Sequence, residues 1–311
     1  MAASPRSDDI TEARAALGRI DFFRSERPGE PVVARLGGLT NKVFKVDCNG
    51  DSYVLRLPGP GTGDYIDRSL EATALREAAR VGVAPDLVMA DPASGVMVSQ
   101  FLNARTMSPA LFKSLPGAPA RAGQILRRLH TSGAVFKHQF DLFGMIDEYL
   151  KALPGGQSQL PEGYQKALRE AAGLRRVLAA RPMPSAPCHC DPLADNFLDD
   201  GKRMWLVDWE YSGMNDPMWD LGDMSLEAGL DAGQEAEMFT AYFGGEPAPA
   251  ARGRIAVYKA MCDLVWTLWG LNQHASGNPA DEFLAYANRR LHRCRATMAD
   301  PGFAAGVAAI G

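Results

Sequence analysis

Several things are scarce in this chain, and each scarcity excludes something. Long apolar runs are missing: no stretch of the sequence approaches the ~20 apolar residues that a membrane-spanning helix needs. The first twenty residues, MAASPRSDDITEARAALGRI, are polar and charged, which predicts no secretory leader. Cysteine is sparse, with five in 311 residues (Cys48, Cys188, Cys190, Cys262 and Cys294). An odd, scattered set is no disulfide framework and predicts reduced thiols in a cytoplasmic protein. Cys188-His189-Cys190 has no second Cys/His cluster to complete a tetrahedral metal shell. Excess positive charge is absent too. The formal net charge is −4, so there is no overall basic footprint for nucleic acid or an acidic membrane surface.

What is present is ordinary globular material, 46% apolar and 23% charged, enough for one large domain or two lobes. A helix is expected over about 8–19, capped by Asp8. VVARL, VFKV and YVLRL between Val32 and Leu57 are short β-branched and aromatic runs, expected as strands. The link GGLTN, residues 37–41, is either a plain hairpin turn or a place where Gly38, Thr40 and Asn41 approach a phosphate. In YVLRL, alternation puts Tyr53, Leu55 and Leu57 on one face and Arg56 on the other. Arg56 is therefore either a solvated edge residue or a cation for nucleotide phosphates. LPGPGTGDY is a loop by its Gly and Pro content. The helix predicted after it, about 67–79, carries Glu71, a candidate partner for Arg56 in the way a strand lysine pairs with a helix glutamate in kinases. Two more strands are expected near 87–90 and 96–101. From there the pattern is helical, at about 120–129, 145–150, 163–178 and 256–271, which sets a domain boundary near residue 102.

The stretch from His189 to Asp220, HCDPLADNFLDDGKRMWLVDWEYSGMNDPMWD, carries the chemistry. Phe197-Leu198, a turn at 199–202 and Met204–Val207 read as a hairpin. It brings Asn196 and Asp208 together as two oxygen ligands suited to Mg²⁺, with nucleotide phosphates completing the octahedron. Asp191, five residues before Asn196, is placed to accept a proton from an acceptor hydroxyl or to hold it in line. His189 is expected to brace the loop, and Asp220 to hydrogen-bond its backbone.

HCDPLADNFL followed by LVDWEYSGMNDPMWDLG resembles the choline/ethanolamine kinase branch of the aminoglycoside phosphotransferase superfamily, whose fold is similar to that of protein kinases. The resemblance extends to GGLTNKVFKV, YVLRLPGPGTGDYIDRSLEA, LVWTLWG and FLAYANRRL. It implies Asp191 as catalytic base and Asn196 and Asp208 as Mg²⁺ ligands. It further implies Arg56, paired with Glu71, as phosphate-binding cation, and adenine held by backbone near Gln100 to Leu102. Pro192 departs from the leucine common after that aspartate, leaving the Asp-to-Asn spacing unchanged. Trp266 and Trp269, three apart on one helix, are core residues by composition alone. By the resemblance they are an aromatic wall for a quaternary ammonium, with Tyr211 and Tyr286 as further cage aromatics. Glu210 is a negative charge for that cation or for Mg²⁺.

The expectation is thus an α+β, two-lobed protein-kinase-like fold. Residues 1–102 form a nucleotide-binding lobe with a five-stranded antiparallel sheet and one main helix. Residues 103–311 form a mostly helical lobe for catalysis and acceptor binding. The expected enzyme is an ATP- and Mg²⁺-dependent kinase of a small amino alcohol, choline first among acceptors. It is a monomer or homodimer with no nucleic-acid partner and no membrane insertion. Ethanolamine, thiamine or aminoglycoside kinases of the same superfamily are the enzymatic alternatives. A non-catalytic kinase-like module is the alternative of another class.

Overall fold

A computed structural model describes residues 7–26, 29–37, 41–59, 67–156, 160–279 and 281–311. Its first part is a five-stranded sheet built from β1 (Val32–Gly37), β2 (Lys42–Cys48), β3 (Asp51–Leu57), β4 (Leu87–Asp91) and β5 (Val96–Gln100). The order is β1-β2-β3-β5-β4, and every neighbouring pair is antiparallel. Asn49 and Gly50 turn β2 into β3 with φ of 53° and 86°, the left-handed pair that a two-residue hairpin of this twist requires. One sheet face buries Phe44, Val46, Tyr53, Leu55, Leu57 and Val98 against Ala13 and Leu17 of α1 (Ser7–Leu17) and against Ile20 and Phe23. Alternation along β3 then turns Arg56 to the other face. There α2 (Arg68–Arg80) lies, started by Asp67, whose carboxylate accepts from Ser69 N at 2.9 Å and Leu70 N at 3.1 Å.

After β5 the chain leaves the sheet. Phe101 N–H still donates to Ser52 O at 3.0 Å, and Leu102 stands beyond that pairing. The remainder of the chain is mainly helical: α3 (Pro109–Ser114), α4 (Ala118–His130), α5 (Leu142–Ala152), α6 (Tyr164–Ala180), α7 (Met218–Glu227), α8 (Ala232–Phe243), α9 (Pro249–Ala275), α10 (Phe283–Ala299) and α11 (Pro301–Ile310). Helix α9 is apolar almost all round and is wrapped by α5, α6, α7, α10 and α11, as a helix without a polar face must be. Short strands sit at its margin. β6 (Arg105–Thr106), β8 (Phe197–Asp199) and β9 (Met204–Leu206) form one small sheet, and β7 (Ala186–Cys188) pairs with β10 (Gly213–Asn215).

The result is the expected α+β, protein-kinase-like arrangement, a five-stranded antiparallel sheet followed by a helical part. The hairpin expected at 197–207 is β8–β9. The helix expected over 256–271 runs from 249 to 275, because packing on several sides extends it past the apolar window. Strands β6, β7 and β10 are two or three residues long, too short for a period to register. Helices α3, α8, α10 and α11 were not expected either; α11 is small and apolar, and Gly253 of α9 lets it pass close, since a Cβ there would run into Gly306 O.

Candidate active site

The loop between β7 and β8 is fixed from below by one carboxylate. Asp220 on α7 is fully buried and accepts from His189 N (2.7 Å) and Cys190 N (2.9 Å). His130 Nε2 donates to Asp220 at 3.0 Å, and His130 Nδ1 lies 2.8 Å from the Tyr242 hydroxyl. A charged acceptor on Nε2 assigns the ring its tautomer, with Nδ1 accepting from the tyrosine. Trp219 Nε1 donates to Cys190 O at 3.0 Å, and His189 Nε2 donates to Val207 O at 2.9 Å. Cys190 is held at φ 67°, a left-handed value that few non-glycine residues adopt. Beyond it, Leu193 N (2.8 Å) and Asn196 Nδ2 (2.9 Å) both donate to Asp191 O. The backbone of Asp191 is thus pinned on both sides, while its carboxylate takes no hydrogen bond from any described residue. Burial lifts its pKa well above the usual carboxylate range; Asp208, Glu227 and Glu210 add repulsion and Arg290 opposes it. Desolvation of this kind is how a carboxylate becomes a competent proton acceptor.

The β8–β9 hairpin delivers the next two groups. Val207 N donates to Asn196 O at 3.0 Å, so Asn196 and Asp208 flank one end of the pair. Asp208 also has a left-handed φ, 66°. Its carboxylate meets Glu71 and Glu210, with oxygens all within 4.8 Å of one another. Two arginines sit among them. Arg56 forks onto Glu71, with Nη2 at 2.7 Å from Oε2 and Nη1 on Oε1. Its Nη1 is 3.6 Å from Asp208 and 3.7 Å from Glu210. Burial opposes the charge of Arg56, but the Glu71 pairing more than offsets it and leaves the guanidinium pKa raised. Arg68 bridges Glu71 (2.9 Å) and Glu210 (2.7 Å), and Asn41 Nδ2 donates to Glu210 at 2.7 Å. Despite these bonds, Asp208 Oδ1, Asn41 Oδ1 and Arg56 Nε are buried without a hydrogen-bond partner among the described residues. Asp208 keeps 39% of its side-chain area open, yet it lies deep between the sheet and the hairpin. That depth, then Glu210, pushes its pKa up to about 7. Crowded carboxylates with orphaned oxygens suit a divalent cation, whose charge would relieve both defects. Asn196, whose amide nitrogen is spent on Asp191 O, has its Oδ1 left to add.

A row of rings also lies near Asp191, whose charge bears on Tyr286. Tyr211 meets Trp266 at 5.3 Å, Trp266 meets Trp269 at 6.3 Å, and Trp269 meets Tyr286 at 5.7 Å, all edge to face. Tyr286 fits against Gly270 so closely that a Cβ there would sit 2.7 Å from its ring. Arg290 covers the Tyr286 ring at 4.8 Å and forks onto Glu227, Nη2 to Oε2 at 2.9 Å and Nη1 to Oε1. Arg290 also reaches Asp263 at 3.2 Å, which Arg293 holds with two bonds of 2.7 Å. Asp223, fully buried, accepts from the Cys262 thiol at 2.9 Å; burial raises its pKa well above the usual range.

The structure therefore brings Asn41, Arg56, Glu71, Asn196, Asp208 and Glu210 together and gathers Tyr211, Trp266, Trp269 and Tyr286 into one row. Glu210 stands with the charged cluster. Gln100 N donates to Asp86 O at 2.8 Å, at the end of β5 where the chain leaves the sheet. Gly38 and Thr40 lie outside the described residues. Sequence reasoning missed Arg68, although its three-residue spacing from Glu71 on α2 was a usable signal. It also missed Glu227 and Arg290, which no local pattern marks.

The comparisons with known proteins show the family. A family model described as choline/ethanolamine kinase matches residues 32–242. A solved choline/ethanolamine kinase family protein from Mesorhizobium loti is 54% identical, with a TM-score of 0.88 covering 97% of this chain and 99% of that one. The choline kinase LicA of Streptococcus pneumoniae is 26% identical, with a TM-score of 0.77 over 94% of this chain and 98% of that one. Protein LicA of Haemophilus influenzae is 27% identical over 265 residues, 82% of this chain and 76% of the relative.

Proposed function

This chain belongs to the choline/ethanolamine kinase family, and on that premise we propose that its acceptor is choline. It is a phosphotransferase acting on the hydroxyl of a small amino alcohol, and the family implies ATP as donor. Among the described residues no helix is long and apolar enough to cross a membrane. We place the protein in the cytoplasm, where ATP is supplied and where its five free thiols stay reduced. Residues 1–102 are assigned to the nucleotide and 103–311 to catalysis and the acceptor.

One observation carries the reading: Asp191, whose carboxylate takes no hydrogen bond among the described residues, lies near both a charged cluster and a row of aromatic rings. Asp191 holds the acceptor hydroxyl in line and accepts its proton as the oxygen–phosphorus bond forms and the bond to the departing ADP breaks. Arg56, kept in place by Glu71, meets the phosphate charge. Asn41 and the backbone of the 37–41 link, Gly38 and Thr40 included, approach the phosphates. The chain end of β5, Gln100 to Leu102, presents its backbone to adenine. Asn196 and Asp208, with Glu210 beside them, would hold Mg²⁺, which supplies charge neutralisation at the transferred phosphoryl group. The rings of Tyr211, Trp266, Trp269 and Tyr286 attract a quaternary ammonium through their faces, each desolvated contact contributing about 2 kcal/mol.

A screen of ADP release over choline, ethanolamine, thiamine and aminoglycosides tests the reading. Choline should give the highest kcat/KM. Turnover with an aminoglycoside or thiamine alone would refute it, and a preference for ethanolamine would move the acceptor within the same class.

A further inference from the structure

We propose that Asp223, Glu227 and Cys262 form a second cation site, separate from the phosphate-side cluster, which takes one thiophilic divalent metal ion such as Zn²⁺.

Asp223 and Glu227 stand four residues apart on α7. They share one helix face, where like charges repel unless a cation joins them. Cys262 of α9 completes the group: one ligand atom from each of the three lies within 4.8 Å of the others. Asp223 is fully buried. Its Oδ1 accepts from the Cys262 thiol at 2.9 Å. Its Oδ2 is buried without a hydrogen-bond partner among the described residues. An unmet oxygen on a buried carboxyl is costly, and this one lies beside two further metal-ligating groups.

The charges leave room for a dication. Arg290 forks onto Glu227, and Arg293 holds Asp263 with two bonds, so two guanidiniums match two carboxylates. The Asp223 carboxyl and the Cys262 thiol have no counter-cation of their own. Ionised, they supply two negative charges, which one divalent ion balances as the displaced protons pass to solvent. Arg290 Nη1, 3.9 Å from the Cys262 sulfur, favours the thiolate. The fork does not bar Glu227 from ligation. Each carboxylate oxygen has two lone pairs, and metal-bound carboxylates are hydrogen-bonded in this way.

The donor set selects the metal. One thiolate with two carboxylate oxygens suits Zn²⁺ and softer ions rather than Mg²⁺. Ligand atoms around a tetrahedral zinc stand roughly 3–4 Å apart by its bond lengths, which small side-chain movements in this group can meet. The fourth position is left to water. Glu227 keeps 12% of its side chain exposed, which gives the ion a way in. Cys262 lies one turn before Trp266 on α9, and Arg290 covers the Tyr286 ring. A dication here would therefore stand at the edge of the aromatic row and repel an ammonium held there. That consequence rests on the acceptor reading above.

Metal-free wild-type protein, without nucleotide, is titrated with Co²⁺ as a spectroscopic stand-in for Zn²⁺. One equivalent should bind with the visible bands of a tetrahedral ion and a sulfur-to-cobalt charge-transfer band in the near ultraviolet. Zn²⁺ should displace it and Mg²⁺ should not. An ion at the Asp208 cluster would show no sulfur band and would yield to Mg²⁺. Cys262→Ser should abolish the charge-transfer band. Asp223→Asn should weaken binding by about a hundredfold or more, since even a supporting partner is worth about 10–100-fold. No charge-transfer band in wild type overturns the proposal, as does a band that survives Cys262→Ser. Should the variants not fold, X-ray absorption at the zinc edge decides on wild type. One sulfur at about 2.3 Å beside oxygens at about 2.0 Å is expected; two sulfurs, or none, overturns the proposal. Choline should weaken Co²⁺ binding. A titration that choline leaves unchanged refutes the acceptor reading of the aromatic row, while the metal site stands on its spectrum.

Discussion

Two arginine–carboxylate clusters lie near Asp191, and they differ in what they leave unpaired. The first, with Arg56, Arg68, Glu71, Asp208, Glu210 and Asn41, keeps buried oxygens on Asp208 and Asn41 and a buried nitrogen on Arg56 without hydrogen-bond partners among the described residues. Three carboxylates crowd within 4.8 Å there. In the second, Glu227, Asp263, Arg290 and Arg293 bond to one another, and none of them has a buried, partnerless side-chain atom. The first cluster leaves polar atoms unmet, which fits the phosphate and metal role proposed for it. The second pairs its arginines with Glu227 and Asp263, and its one orphaned oxygen among the described residues is Asp223 Oδ2, in the group with Glu227 and Cys262. Similar residue types thus differ in how many of their charges find partners within the protein.

The comparison can be broken at several points. The largest effect belongs to the group between the clusters. Asp191→Asn should lower kcat by ~10³-fold, within the range of lost general-base catalysis, with ATP affinity by titration unchanged. A variant near wild-type activity would remove Asp191 from the mechanism. Next comes the closed cluster. Glu227→Ala leaves the buried Arg290 without its main partner and should cost about 3 kcal/mol in denaturant unfolding. In the open cluster, Asp208→Asn should cost no stability measured without Mg²⁺, because it removes like-charge repulsion, while its ATP-dependent turnover collapses. Equal destabilisation by both would erase the distinction. The smallest effect is Trp269→Ala, which should raise the choline KM about tenfold or more, the scale of one lost cation–π face, and leave the ATP KM alone. Equal shifts in both constants would make the tryptophans core residues and nothing more.

How much of this was readable in the sequence depends on distance along the chain. The five long strands and α2 announce themselves by alternation and by their Gly and Pro boundaries. The hairpin carrying Asn196 and Asp208 spans a dozen residues, so its geometry comes from local pairing. The pair of Arg56 and Glu71, 15 residues apart, was reachable through strand and helix faces. Arg68 meets Glu210 across 142 residues, and Arg290 meets Glu227 across 63. Nothing in a local window says which of many arginines folds onto which carboxylate, so both were missed. The same holds for β7 and β10, three-residue strands that exist because Asp220 and Trp219 pin the loop beside them.

The central claim is that a phosphoryl group reaches an ammonium-bearing alcohol held between these clusters. Phosphorus NMR of wild-type protein with ATP, Mg²⁺ and choline tests it most directly. The account predicts one phosphocholine for each ADP, with formation abolished by chelating Mg²⁺. ADP accompanied by inorganic phosphate and no phosphocholine would contradict it.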